Sequence, residues 1–162
     1  MTATFYFAEN NGVFPGTLGS IANLNMGASD SKEVVVASSP ILAGANSFEK
    51  WIVGSWSNSF TKINNVQFWM SAGSYGTGEV IKWTGSESTY VQPTASTSTK
   101  AVGSVPTSDP GTANVSINSS LAGSLITSPG RSDYIVLQYG TSASASPGPT
   151  NQKTFSIQWD EQ

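Results

Sequence analysis

Four Pro-Gly pairs punctuate this chain: Pro15-Gly16, Pro110-Gly111, Pro129-Gly130 and Pro147-Gly148. Proline fixes φ near about −65° at the first central position of a turn, and glycine accepts the positive φ needed at the second. Between these corners no stretch keeps the i, i+3, i+4, i+7 apolar spacing of an amphipathic helix over helical length. Alternation and β-branched or aromatic runs dominate instead. They predict strands over 3–8, 33–38, 48–56, 60–70, 79–84, 113–118, 133–139 and 153–159, with a weaker one near 21–26. Short strands between Gly/Pro turns predict an all-β chain, a two-layer antiparallel β-sandwich of jelly-roll or Ig-like type with long loops. The length of 162 residues suits one domain over 1–162, with 1–15 as a candidate N-terminal interaction arm.

Charge narrows the function classes. Only 10% of residues are charged and the net charge is −3. The seven basic residues form no cluster, so the phosphate-neutralising patch of a nucleic-acid binder is missing. No run approaches the roughly 18–20 apolar residues of a membrane helix. The opening MTATFYFAENNG has no basic or apolar signal region, so the chain is read as folding first in a cytoplasm. Five Trp, five Tyr and seven Phe argue against disorder. No disulfide, thiolate metal site or Cys nucleophile is available, because the sequence contains no cysteine.

Histidine is absent as well, which removes the usual neutral-pH base and the commonest metal ligand. A Ser-His-Asp arrangement cannot be built. Gly73-Ser-Tyr-Gly-Thr-Gly78 lacks the spacing and following Lys-Ser/Thr of a phosphate loop, and reads as a hairpin loop joining 60–70 to 79–84. The ten acids mark no catalytic pair. Asp30 and Glu33 lack calcium-loop spacing. Asp160 and Glu161 point to opposite faces of an extended strand and serve to blunt its end. The residues thus predict no enzyme, no cofactor and no metal.

Aromatic positions raise two further expectations. Phe5, Tyr6 and Phe7 are consecutive, so alternation cannot bury all three on one face. Either this strand is covered on both sides, or it docks on another chain, with Phe5, Tyr6, Phe7, Val13 and Phe14 as candidate interface. On 60–70, Val66, Phe68 and Met70 share one face, and Gln67 and Trp69 the other. An exposed pair such as Trp56 and Trp69 would offer a stacking platform to a glycan, against core packing as the plainer role. Ile81 and Trp83 share a parity that points to the core. The strand-poor segments 92–112 and 140–152 are either surface loops or loops ordered by a neighbouring subunit. The terminal alternation Phe155, Ile157, Trp159 predicts a core strand.

The run NSFEKWIVGSWSNSFTKINNVQFWMSAG, then SDYIVLQYG, then a closing TFSIQWDEQ, resembles small virion structural proteins of tailed bacteriophages. The resemblance covers about residues 46–162. It rests on Phe48, Lys50 and Trp51, on Ile63 to Trp69, on Tyr134 to Gln138, and on the aromatic-Asp-Glu tail Trp159 to Glu161. It implies a non-enzymatic β-sandwich subunit of the virion that coats or cements a phage head, with the major capsid protein or other virion subunits as partners. Self-association, for example as a trimer, belongs to that expectation. A tail or connector subunit and a glycan-binding module are the alternatives.

Overall fold

In a computed structural model, residues 3–12, 18–146 and 151–162 are described. The strands are β1 (Thr4–Glu9), β2 (Gly19–Ser20), β3 (Lys50–Ser57), β4 (Ile63–Ala72), β5 (Glu79–Glu87), β6 (Gly103–Ser104), β7 (Ser124–Leu125), β8 (Gly130–Arg131), β9 (Tyr134–Thr141) and β10 (Thr154–Glu161). They form two antiparallel sheets. The larger runs β2-β1-β3-β9-β5-β6, with β8 also on β3, and the smaller runs β10-β4-β7. The sheets pack face to face as a β-sandwich. Phe5, Phe7, Ile52, Trp56, Ile81 and Leu137 of the large sheet meet Val66, Phe68, Met70, Ile157 and Trp159 of the small one.

Alternation explains this placement. Val66, Phe68 and Met70 turn into the core as their parity requires, and Phe68 stacks on Trp83 and Phe155 at ring distances of 5.9 and 5.3 Å. The large sheet is also covered on its outer face. There Ala8, Trp51, Val53, Tyr134 and Val136 pack with Ala101, Leu18 and Tyr90, which come from loops.

One lateral opening of the sandwich is stitched shut by residues 105–117. The Val105 amide donates to Ile81 O of the large sheet, while Pro106 O accepts from Met70 N of the small one. Further on, Ser116 N reaches Gly85 O, and Asn114 N and Val115 N both reach Val66 O. The Asn114 side chain completes the edge by accepting from Phe68 N at 2.8 Å and donating to Phe68 O at 2.9 Å, as a paired strand would. So β4 has no open edge, whereas β10 pairs with β4 alone.

Several expectations are corrected. Residues 33–38 form no strand. Val34 is buried, but Val35 and Val36 face outward and 36–38 make a single 3-10 turn, because no neighbouring strand offers the segment a ladder. The segments 21–26 and 113–118 form no strand, apart from an isolated bridge at Ile117. The 73–78 loop is no hairpin: it carries the chain from β4 in the small sheet to β5 in the large one. Of the Pro-Gly corners, Gly111 takes a φ of 68°, capped by the Asp109 carboxylate, while Gly130 lies in β8 opposite Trp56. The C-terminal strand does face the core, but as an edge strand whose Phe155, Ile157 and Trp159 are half-buried.

Candidate functional site

The N-terminal aromatics divide by face. β1 lies between β2 and β3 and pairs with β3 along its whole length, from Thr4 opposite Ser57 to Glu9 opposite Ile52. Phe5 stacks on Trp159 at 5.0 Å and leans on Trp56, and Phe7 meets Phe68 edge-on. These two rings are half-buried against the core, because alternation turns them between the sheets. Tyr6 points the other way and is 43% exposed. Val13 and Phe14 lie outside the described residues. Residues 4–9 are therefore an internal strand rather than an arm.

The glycan platform loses its geometry. Trp56 is fully buried among Phe5, Gly54 and Trp159, and Trp69 is half-buried on the far face of β4. Tyr6 is the single aromatic among the described residues with a largely exposed ring, so no coplanar exposed pair exists there for a sugar to stack on.

The 92–112 segment is ordered by the chain itself. The Glu49 carboxylate is buried at the start of β3. Its Oε1 accepts from the backbone amides of Thr99, Lys100 and Ala101 at 2.8–3.0 Å, and from the Ser98 hydroxyl. Its Oε2 accepts from the Thr99 hydroxyl. Such consecutive amides form an anion-binding concavity, here filled from within. Gln138 Nε2 holds Ser96 O from β9. Asn11 and Asp30 are tied to one another and to β3 similarly. Asn11 donates to Glu49 O and Asp30 Oδ1 and accepts from Trp51 N, so its side chain continues the β1–β3 ladder.

Two ion pairs use carboxylates on the inward-facing parity of the large sheet. Glu9, two residues after Phe7, meets Lys50, two before Ile52, at 2.7 Å with both side chains enclosed. Lys50 also donates to Ser31 O at 2.5 Å, while Glu9 Oε2 has no hydrogen-bond partner. Burial pushes the Glu9 carboxyl above its ordinary value, and the Lys50 ammonium offsets only part of that. The second pair joins Glu79 of β5 to Lys153 at 3.0 Å. Burial acts to raise Glu79 too, but the Gly76 amide, the nearby Tyr139 hydroxyl and Lys153 outweigh it and hold the carboxyl below its usual range. Lys153 also sits 5.7 and 5.8 Å from the Tyr75 and Tyr139 ring centres.

Beside this second pair the sheets part around a cavity of about 930 Å³. Phe7, Ile52, Ile81 and Tyr139 line it from the large sheet, Phe68 and Phe155 from the small one. The irregular segments 21–26 and 40–43 cover it, which is why Leu24, Met26 and Ile41 are half-buried rather than exposed. Alternation found Phe68, Phe155 and Ile81 as core residues. Nothing in the sequence marked Glu49, Lys50, Glu79 or Tyr139, since a charge beside a hydrophobic run ordinarily signals a solvated face.

No group of His, Asp or Glu suited to a metal occurs among the described residues. Neither a family model, a curated protein nor a solved structure matches this chain.

Proposed function

We propose that the protein is a non-enzymatic structural subunit of a tailed-phage virion, a capsid decoration or cement protein that binds the major capsid protein by repeated weak contacts. The observation that carries the reading is an apolar strap on a charge-poor body. Val35, Val36 and Leu42 are 67, 52 and 71% exposed, and Val36 and Leu42 both line one cavity. Contiguous exposed apolar surface marks contact with another macromolecule. A body with 10% charged residues has few desolvation penalties to overcome when its surface is covered. The sequence resemblance supports the choice of virion, and the pinned loops suit a rigid subunit that loses little conformational freedom on docking. Many copies on a lattice would bind tightly through individually modest interfaces.

The test is co-sedimentation of purified protein with phage heads prepared without it, and separately with tails. Saturable binding to heads, reduced at least tenfold by Val36→Asp/Leu42→Asp, is the expected outcome. Binding to tails alone would move the protein to a tail or connector, and binding to neither would end the virion reading. Light scattering at high concentration gives the oligomeric state directly, with a persistent monomer removing the trimer.

A further inference from the structure

We propose that the cavity between the sheets binds a small apolar molecule carrying one neutral hydrogen-bond acceptor, which the Tyr139 hydroxyl recognises. This does not depend on the virion role. Protein interiors are close-packed, with few voids larger than a water molecule. Here a cleft of about 930 Å³, open to solvent on one side, lies between the sheets and the segments that cover them, a volume within the roughly 300–1,000 Å³ of small-molecule sites. The walls are Phe7, Ile52, Phe68, Ile81 and Phe155, so most of an occupant's surface would meet hydrocarbon.

The polar feature is specific. Tyr139 lines the cavity and is 6% exposed, yet its hydroxyl has no hydrogen-bond partner. A buried polar group without a partner is costly, and one on a cavity wall can be satisfied by a molecule in the cavity. Burial, and then the Glu79 carboxylate beside it, hold the proton on Tyr139 at neutral pH, with no acceptor within hydrogen-bond length of the hydroxyl. The group is therefore a donor in search of an acceptor. The charged residues beside it select against an ionic ligand. Glu79 and Lys153 already neutralise one another at 3.0 Å, and Lys153 also donates to Asn151 O, so a carboxylate or ammonium head would find no unpaired charge. A ketone, ester or alcohol on a hydrocarbon frame fits. Entry runs past Pro40, Leu42 and Ala43, which are exposed at the rim.

The probe is 2-nonanone, titrated into the full chain while the methyl resonances of Ile52 and Ile81 are followed by NMR. Saturable shifts of both are expected, with nonanoate binding more weakly. Tyr139→Phe keeps the ring and removes only the unpartnered hydroxyl, so it should fold at least as well and bind the ketone about fivefold more weakly. Ala43→Trp, at the exposed rim, should weaken binding without touching the core. The proposal is overturned if neither methyl shifts up to the solubility limit of the ketone, if Tyr139→Phe binds it as tightly as the parent, or if nonanoate binds more tightly than 2-nonanone.

Discussion

Glu9–Lys50 and Glu79–Lys153 are both carboxylate–ammonium pairs whose carboxylates lie on the inward parity of the large sheet, yet they put their charge to different use. The first is sealed: 2.7 Å, both side chains enclosed, one carboxylate oxygen left unpartnered. The second borders a cavity, and Glu79 Oε2 collects the Gly76 amide as well as Lys153. The carboxyls respond in opposite directions, Glu9 upward and Glu79 downward. Depth of burial alone does not decide this. What decides is whether the hydrogen bonds around the ion make up for the water it has lost. Glu49 shows the fullest such shell: it is buried as deeply as Glu9 but surrounded by three amides and two hydroxyls.

The comparison breaks most sharply at Lys50. Lys50→Met strands a buried Glu9 carboxylate and is expected to cost about 3–5 kcal/mol, read as the fall in urea-unfolding free energy. Glu9→Leu/Lys50→Met together should recover most of that loss, since a sealed ion pair gains little over hydrocarbon of similar volume. A double variant no more stable than the single one would mean that Ser31 and the strand ends, rather than the charges, depend on Lys50.

Glu49→Ala comes next. It leaves the Thr99, Lys100 and Ala101 amides without their acceptor, at a cost of about 2–3 kcal/mol because the loop can turn them to water. Hydrogen exchange separates this from a general loss of stability. Protection should vanish at 99–101 while persisting at Ile135 and Leu137 in β9. Retained protection at 99–101 would show that the segment is held by its own packing, through Ala101, and not by the carboxylate.

These contacts also explain which parts of the fold were legible in the sequence. The long strands announced themselves because their patterns need no partner to be read: Val66, Phe68, Met70 in β4, Ile135 to Tyr139 in β9, Phe155, Ile157, Trp159 in β10. The run Glu33 to Ser38 misled because β-branched residues prefer a pleated, half-buried surface, and only Val34 finds one. The hairpin expectation for 73–78 failed because sequence neighbours need not be sheet neighbours, and the glycines there serve a crossover between layers. The aromatics at 5–7 left two readings open, and strand order placed β1 between β2 and β3 with Phe5 and Phe7 turned toward the core and Tyr6 exposed. The cavity was invisible, being the space left where irregular segments 21–26 and 40–43 cover the sandwich in place of strands. Glu49 and Lys50 were hidden for a related reason. Their partners lie some 40–50 residues away, Glu9 at the end of β1 and the Thr99 amide in a loop with no periodic signature.

The two ion pairs differ least in size and most clearly in sign when pH is varied. Glu9 has a folded pKa above the ordinary 4.5, so between that value and its raised pKa the native state holds more protons than the unfolded chain. Stability from Glu9 is therefore present below pH 4.5 and falls as pH rises through its folded pKa. Glu79 has a folded pKa below 4.5, so its contribution is present above pH 4.5 and is lost as pH falls through the lowered value. Together the two groups favour a stability maximum near pH 4.5. Melting temperatures between about pH 2.5 and 7 resolve the two slopes. In Glu9→Leu/Lys50→Met the decline above pH 4.5 should flatten, and in Glu79→Gln the rise below it should shrink. An unchanged upper slope in the double variant would mean that Lys50 compensates fully for the burial of Glu9, and the contrast between the pairs would reduce to their distance from the cavity.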